Sequence, residues 1–186
     1  MKRVFACPLL FAILTATSIL AQSNGYDVRK ERWGMSQKDV IAAEGREPYT
    51  NVGNVLLYRD EVAGITARVG FLFDENKLFQ VRYWPWDQST LDDVESAFHA
   101  WLTALHRRYG YNEGYLFVGK ETVSKTTSLE RINSAVEEIK KGNISEFQVQ
   151  FTDNDRSLRP SLIMERSEDK SLHVRMEFTM RPPDNF

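Results

Sequence analysis

Two stretches of this chain alternate apolar and polar side chains with a period of two, and between them runs an apolar stripe with the period of a helix. From Gly64 to Phe73, Ile65, Ala67, Val69, Phe71 and Phe73 fall on one side, with Thr66 and Arg68 on the other. From Ser171 to Met180, Leu172, Val174, Met176, Phe178 and Met180 alternate with His173, Arg175, Glu177 and Thr179. Successive side chains of a strand point to opposite faces, so both segments predict strands with one buried face. Between them Leu91, Val94, Phe98, Trp101 or Leu102, and Leu105 recur at helical spacing. They predict a long helix from Thr90 to about Tyr109, acidic at its start and basic at its end as the helix dipole prefers.

Weaker patterns fill in the rest. Ser36 and Asp39 imitate a capping box, and Gly45 stops the short helix that they open. Val55–Tyr58 predicts a short strand. Asp74 to Lys77 turns the chain into a strand from Leu78 to Trp84, with Phe79, Val81 and Tyr83 opposed to Gln80 and Arg82, and Pro85 ends it. Gly110, Gly114 and Gly119 punctuate a predicted loop, followed by a helix from Ser128 to Lys141 capped by Thr127 and Glu130. Phe147, Val149 and Phe151 predict a further strand, and Leu162 and Met164 another, which Pro160 confines to an edge start. The expected fold class is α+β: two helix-plus-three-stranded antiparallel meander units, residues 33–86 and 87–180, the second carrying an inserted helix, with helices packed on one sheet face. Residues 22–32 read as a polar lead-in and residues 181–186 as a tail.

The N-terminus changes where this fold is expected to work. Lys2 and Arg3 precede an apolar run from Val4 to Leu20 that ends at Ala21-Gln22, the pattern of a secretory signal peptide over residues 1–21. An uncleaved anchor is the alternative reading. Cleavage predicts a periplasmic or secreted protein with no stable membrane span. It also removes Cys7, the single cysteine, leaving no disulfide and no thiolate chemistry. Without Lys2 and Arg3 there remain 22 basic against 26 acidic residues, a balance that argues against nucleic acid as a partner.

Trp33-Gly34-Met35-Ser36, then Val40, Glu44-Gly45 and Pro48, followed by Leu57-Tyr58 and the Phe71-Leu72-Phe73…Leu78…Val81 hairpin, carry a family resemblance. The region Trp33–Trp84 resembles the SmpA/OmlA-like domain of small outer-membrane assembly lipoproteins (the BamE type). Its helix-plus-meander unit is distantly similar to the one found in tandem in the β-lactamase-inhibitor-protein fold. Two departures stand out: Gly45-Arg46-Glu47-Pro48 is one residue longer than the usual Gly-x-Pro, and no lipobox cysteine follows the signal. The resemblance implies action by binding other envelope proteins rather than by chemistry.

The candidate sites follow that expectation. No nucleophile elbow, phosphate loop, dinucleotide fingerprint or His-Glu-x-x-His motif is present, so no catalytic residue, metal site or cofactor is predicted. Trp84 and Trp86 flank Pro85 as a rigid aromatic knob of the kind enriched at binding hot spots. Only one of the two needs to reach the core, although both covering the end of the core is the plainer reading. Tyr111 and Tyr115 belong to a second aromatic, glycine-rich segment that is either a binding loop or a packed connection. These four are the predicted binding residues. Two alternatives stay open. One is a small metal-dependent hydrolase using Glu95 and His99, i,i+4 neighbours on the long helix; His106 lies two turns further, roughly 10.5 Å along the axis. The other is a small-ligand or lipid carrier with a pocket between sheet and helices. The oligomeric state is left open.

Overall fold

The structure, a computed structural model, describes residues 29–110, 113–118, 121–126, 129–151 and 158–180. The signal segment, residues 22–28 of the lead-in, Tyr111, the Thr127–Ser128 cap and the C-terminal tail lie outside the described residues. Within them the chain is α+β. It runs α1 (Gln37–Glu44), β1 (Thr50–Val52), β2 (Val55–Val62), β3 (Ile65–Asp74), β4 (Lys77–Pro85), α2 (Leu91–Tyr109), β5 (Glu113–Val118), β6 (Glu121–Thr126), α3 (Leu129–Lys141), β7 (Glu146–Gln150), β8 (Leu158–Arg166) and β9 (Leu172–Met180).

Local sequence explains where the elements start and stop. The Ser36–Asp39 capping box forms as read on α1, and Thr90, read only as the start of α2, makes a further box with Asp93. Gly45 closes α1 at φ 69°, where a side chain would be strained. Two-residue turns join β2 to β3 and β3 to β4. Their central residues, Ala63-Gly64 and Glu75-Asn76, all have positive φ, as turns matching the twist of a hairpin require.

The strands form one antiparallel sheet in the order β1-β2-β3-β4-β9-β8-β7-β5-β6. The N-terminal meander meets the C-terminal strands where β4 pairs β9, from Gln80 opposite Thr179 to Tyr83 opposite Met176. Residues facing one another across a ladder share a face, so the register carries one apolar face across the sheet. Leu56, Val69, Val81, Phe178, Leu162 and Phe147 all lie on it and are buried. On α2 the buried residues are Val94, Ala97, Phe98, Trp101, Leu102 and Leu105, and on α3 they include Ile132, Val136 and Ile139; all join the strands' core. Trp101 is fully buried, and its Nε1 donates to the Val62 carbonyl at 3.0 Å, so the largest core side chain leaves no indole N–H unpaired.

The structure departs from the sequence reading at five places. The expected loop around Gly114 and Gly119 contains the strands β5 and β6; β5 is flanked by β6 and β7, and pairing on both edges overrides its weak local pattern. A further short strand, β1, precedes β2, and β2 runs on through Arg59 to Val62. A bulge in β4 leaves Phe79 between the pairs Leu72–Gln80 and Phe73–Leu78, so Leu78 rather than Phe79 joins Val81 and Tyr83 in the core. Leu91 is exposed at the rim of α2 instead of completing its stripe. Finally, Pro160 sits within β8, an interior strand. Its carbonyl accepts from Phe151 N–H at 2.9 Å, so its own missing N–H faces the same side, just past the end of the β7 ladder at Gln150.

The β3–β4 turn offers a direct check. Replacing Glu75→Asn supplies a residue that tolerates positive φ and keeps Asn76, whose Oδ1 accepts from Gln37 N–H at 3.3 Å. It should stabilise the protein by about 0.5–1 kcal/mol, raising the calorimetric midpoint by a few degrees. An unchanged or lower midpoint would contradict the turn geometry.

Candidate binding face

The sheet face opposite the helices is built at one end from β2, β3 and the close of β4. Pro85 turns inward and is buried, while Trp84 lies on the outer face, only half-buried and outside the helix-packed core. Its ring lies across Gly70 of β3. A Cβ added at Gly70 would stand 2.7 Å from Trp84 Cζ3 and 3.2 Å from Leu57 Cδ2, so only glycine leaves room for the indole. Beyond Pro85, Trp86 is pinned back to β3: its N–H donates to the Thr66 carbonyl at 2.8 Å, and Arg68 Nη2 donates to its carbonyl at 3.2 Å.

Trp86 then gathers its neighbours. The Arg59 guanidinium stands 4.6 Å and that of Arg68 5.6 Å from the ring centroid, and Tyr49 meets the ring edge-on at 5.8 Å. Arg59 and Arg68 oppose each other across the β2–β3 ladder. Trp86, Tyr49 and Val52 are 39%, 49% and 69% exposed, and they are three of the four exposed large apolar side chains among the described residues.

Toward the β4–β9 junction the same face becomes a closed ionic ladder. Arg82 Nε lies 3.0 Å from Glu177 Oε1, which also takes Arg175 Nε at 2.9 Å; Arg175 in turn pairs with Glu165. Gln80 Nε2 donates to Thr179 Oγ1 at 2.9 Å. Arg82 and Arg175 each have a carboxylate, whereas Arg159 of β8, opposite Thr179 on the same face, is exposed and has none among the described residues.

The other charged constellation lies on the helix side, where Arg29–Glu31 meets α1 and β2. Arg29 Nη2 reaches Asp60 Oδ2 at 2.6 Å and Glu44 Oε1 at 3.3 Å; Arg46 Nη2 joins Asp60 at 3.1 Å and Glu44 at 3.3 Å. Glu31 is fully buried and the Glu44 side chain nearly so. Burial first, and the neighbouring Glu44 carboxyl second, push Glu31 up to about 8, so it holds its proton at neutral pH. Burial also pushes the Tyr58 hydroxyl up to about 12 and raises Tyr83 further. Burial works against the charge on Arg29, but Tyr83, Glu44 and Asp60 together hold it protonated. Buried at Glu31 and Glu44 and open to solvent at Arg46 and Asp60, these groups fasten the N-terminal segment to the fold.

The predicted site residues separate. Trp84 and Trp86 come together, and neither enters the helix-packed core, contrary to the plainer reading of them as core cover. Tyr115 lies in β5, four strands away from β4, opposite Gln148 of β7. Glu95 and His99 form no shared centre: Glu95 Oε1 is 2.7 Å from Lys140 Nζ, while His99 is exposed and lies edge-on to Phe98. A cavity of about 300 Å³ between the start of α2, the end of α3 and the β8–β9 turn includes Lys140 and Arg166 in its wall. Both cations are committed, Lys140 to Glu95 and Glu137, and Arg166 to the carbonyls of Ile139 and Lys140. Among the described residues no helix is long and apolar enough to cross a membrane. Sequence reasoning missed Tyr49, Arg59, Arg68 and Gly70. The signal was present in Ala63-Gly64: read as a two-residue turn, it sets Arg59 opposite Arg68. No family model matches the chain, and no curated protein or solved structure matches it.

Two consequences are measurable. Because Glu31 binds its proton more tightly folded than unfolded, it stabilises the fold fully at acid pH. That contribution is lost as pH rises from about 4.5 toward 8. Asp60, held below its usual range by Arg29, acts only at lower pH, outside that window. Denaturant titrations at pH 5.5 and 8.5 should show wild type weakening at the higher pH and Glu31→Gln nearly level; equal slopes in both would remove Glu31 as the cause. Separately, Gly70→Ala should push the Trp84 indole off the sheet, costing about 1–3 kcal/mol and red-shifting tryptophan emission. Unchanged emission would mean that the ring does not lie over Gly70.

Proposed function

We propose that this is a non-catalytic binding or accessory protein of the periplasm or extracellular space that acts on another envelope protein. The observation that carries the proposal is Trp86, a tryptophan left exposed on the sheet face opposite the helices while its ring is fixed by two guanidinium groups and Tyr49. A monomer gains little from rigidifying an exposed indole, whereas an interface gains contact area at small entropic cost. Trp84, Leu57 and Val52 extend an apolar floor beside it. The secretory pattern at residues 1–21 supports the compartment. The opening motif from Trp33 to Pro48 supports kinship with SmpA/OmlA-like domains, which act by binding. On the same reading the architecture is a duplicated helix-plus-meander unit, with β5, β6 and α3 inserted in the second copy. The metal-dependent alternative lacks comparable support, since Glu95 is engaged by Lys140.

Photo-crosslinking in living cells tests this. A crosslinker at position 86 should capture one discrete envelope protein, and one at Arg131, exposed on α3, should not. Rebuilt from purified components, the complex should weaken at least tenfold in Trp84→Ala, as expected for an aromatic hot spot. Identical adducts at both positions, or none at position 86, would sink the proposal.

A further inference from the structure

Among the described residues the face opposite the helices carries five strand arginines: Arg82, Arg175 and the exposed Arg159 near the seam of β4, β9 and β8, and Arg59 and Arg68 on β2 and β3. Arg82 and Arg175 share Glu177, and Arg175 pairs with Glu165, so their charge is balanced within the sheet. Arg59 and Arg68 face each other across the β2–β3 ladder, and among the described residues no carboxylate pairs with either. Like charges directly opposite on a sheet destabilise it. Stacking of both on Trp86, about 0.5–1 kcal/mol for each exposed cation–π contact, offsets that cost but supplies no counter-charge. The chain as a whole is acidic, with 26 acidic against 24 basic residues, so an uncompensated pair of guanidinium groups is not a by-product of a basic composition.

We infer that Arg59 and Arg68 form a receptor for carboxylates, and that the occupant of this face is an acidic, extended segment of a partner protein. This rests on the reading of the face as a binding surface. Trp86 holds both guanidinium groups over one ring, which fixes their position; one Arg68 N–H is taken by the Trp86 carbonyl at 3.2 Å, and the other N–H groups of the pair can meet a carboxylate. The apolar floor of Val52, Leu57 and Trp84 alongside takes an aliphatic or aromatic side chain of the same segment. Two stacked arginines beside an apolar floor fit such a peptide better than a membrane surface, which is met by diffuse clusters of several basic residues.

The test uses a fluorescein-labelled peptide of six glutamates around a central leucine, and the same peptide with glutamines, read by anisotropy. Wild type should bind the glutamate peptide saturably, at least tenfold more tightly than the glutamine peptide, and more weakly as salt rises. Arg59→Gln/Arg68→Gln should lose at least tenfold, with a thermal midpoint unchanged or raised because the repulsion is gone; Arg131→Gln should bind as wild type does. Four results would overturn the inference: no saturable binding, equal binding of the glutamine peptide, unchanged binding in the double variant, or a midpoint lowered by many degrees, which would mark a structural role. Displacement by inorganic phosphate at the concentrations where free glutamate acts would also overturn it, marking a general anion site. Crosslinking from position 86 separates the two readings. An adduct that persists at full yield in the double variant keeps the binding face and removes the acidic occupant, whereas no adduct even in wild type removes the face itself.

Discussion

The pairing of β4 with β9 is the contact on which the remaining architecture depends. It joins segments almost a hundred residues apart through a short ladder, from Gln80–Thr179 to Tyr83–Met176, and turns two meanders into one sheet. Different forces hold its two faces. On the helix side Tyr83 packs edge-on against Phe178 at 5.7 Å, within the core that α2 covers. On the other side Arg82, Glu177 and Arg175 bridge it with charge, and Gln80 bonds to Thr179. A partly exposed ion pair adds little stability alone. Its larger effect is on register, because a slip of one residue would bring Arg82 and Glu177 to the apolar face.

That junction also decides what the outer face presents. Near the seam Arg82 and Arg175 are held by Glu177 and Glu165, and away from it Arg59 and Arg68 share the Trp86 ring with no carboxylate among the described residues. The contrast between Arg82–Glu177–Arg175 and Arg59–Arg68 lies within one sheet and one solvent environment, which makes the unpaired arginines informative. The buried acids have a different role. Glu31 and Glu44 lie on the helix side, closed from solvent, with Glu44 paired to Arg29 and Arg46, where an extra proton is easier to keep than a second negative charge. They make attachment of the N-terminal segment dependent on pH, while the outer face depends on charge that stays fixed.

Much of the fold was legible in single residues. The Ser36 box, the start of α2 at Thr90, the Gly45 stop, the alternation of Ala67 to Phe73 and of Val174 to Phe178, and the stripe from Val94 to Leu105 all appear where the pattern set them. The candidate site was legible in half: Trp84 and Trp86 stood out by type and by their proline. Arg59, Arg68, Tyr49 and Gly70 did not, because each is ordinary until β2 is seen to continue to Val62 and to fold back through Ala63-Gly64.

What the sequence determined by itself are the features whose energy is local: caps, left-handed stops, proline ends, and the choice of which side chains share a face within one strand. These are settled by neighbours a few residues away, so the order of residues carries them. Only the tertiary structure decided that the two halves form one sheet, that the bulge at Phe79 moves Leu78 inward, and that Pro160 fits an interior strand. It also decided that Trp84 lies over Gly70, and that a glutamate from an apparently polar lead-in is buried beside another. Those outcomes depend on cross-strand register and on burial, which arise between residues far apart in the chain and leave no mark on either residue alone.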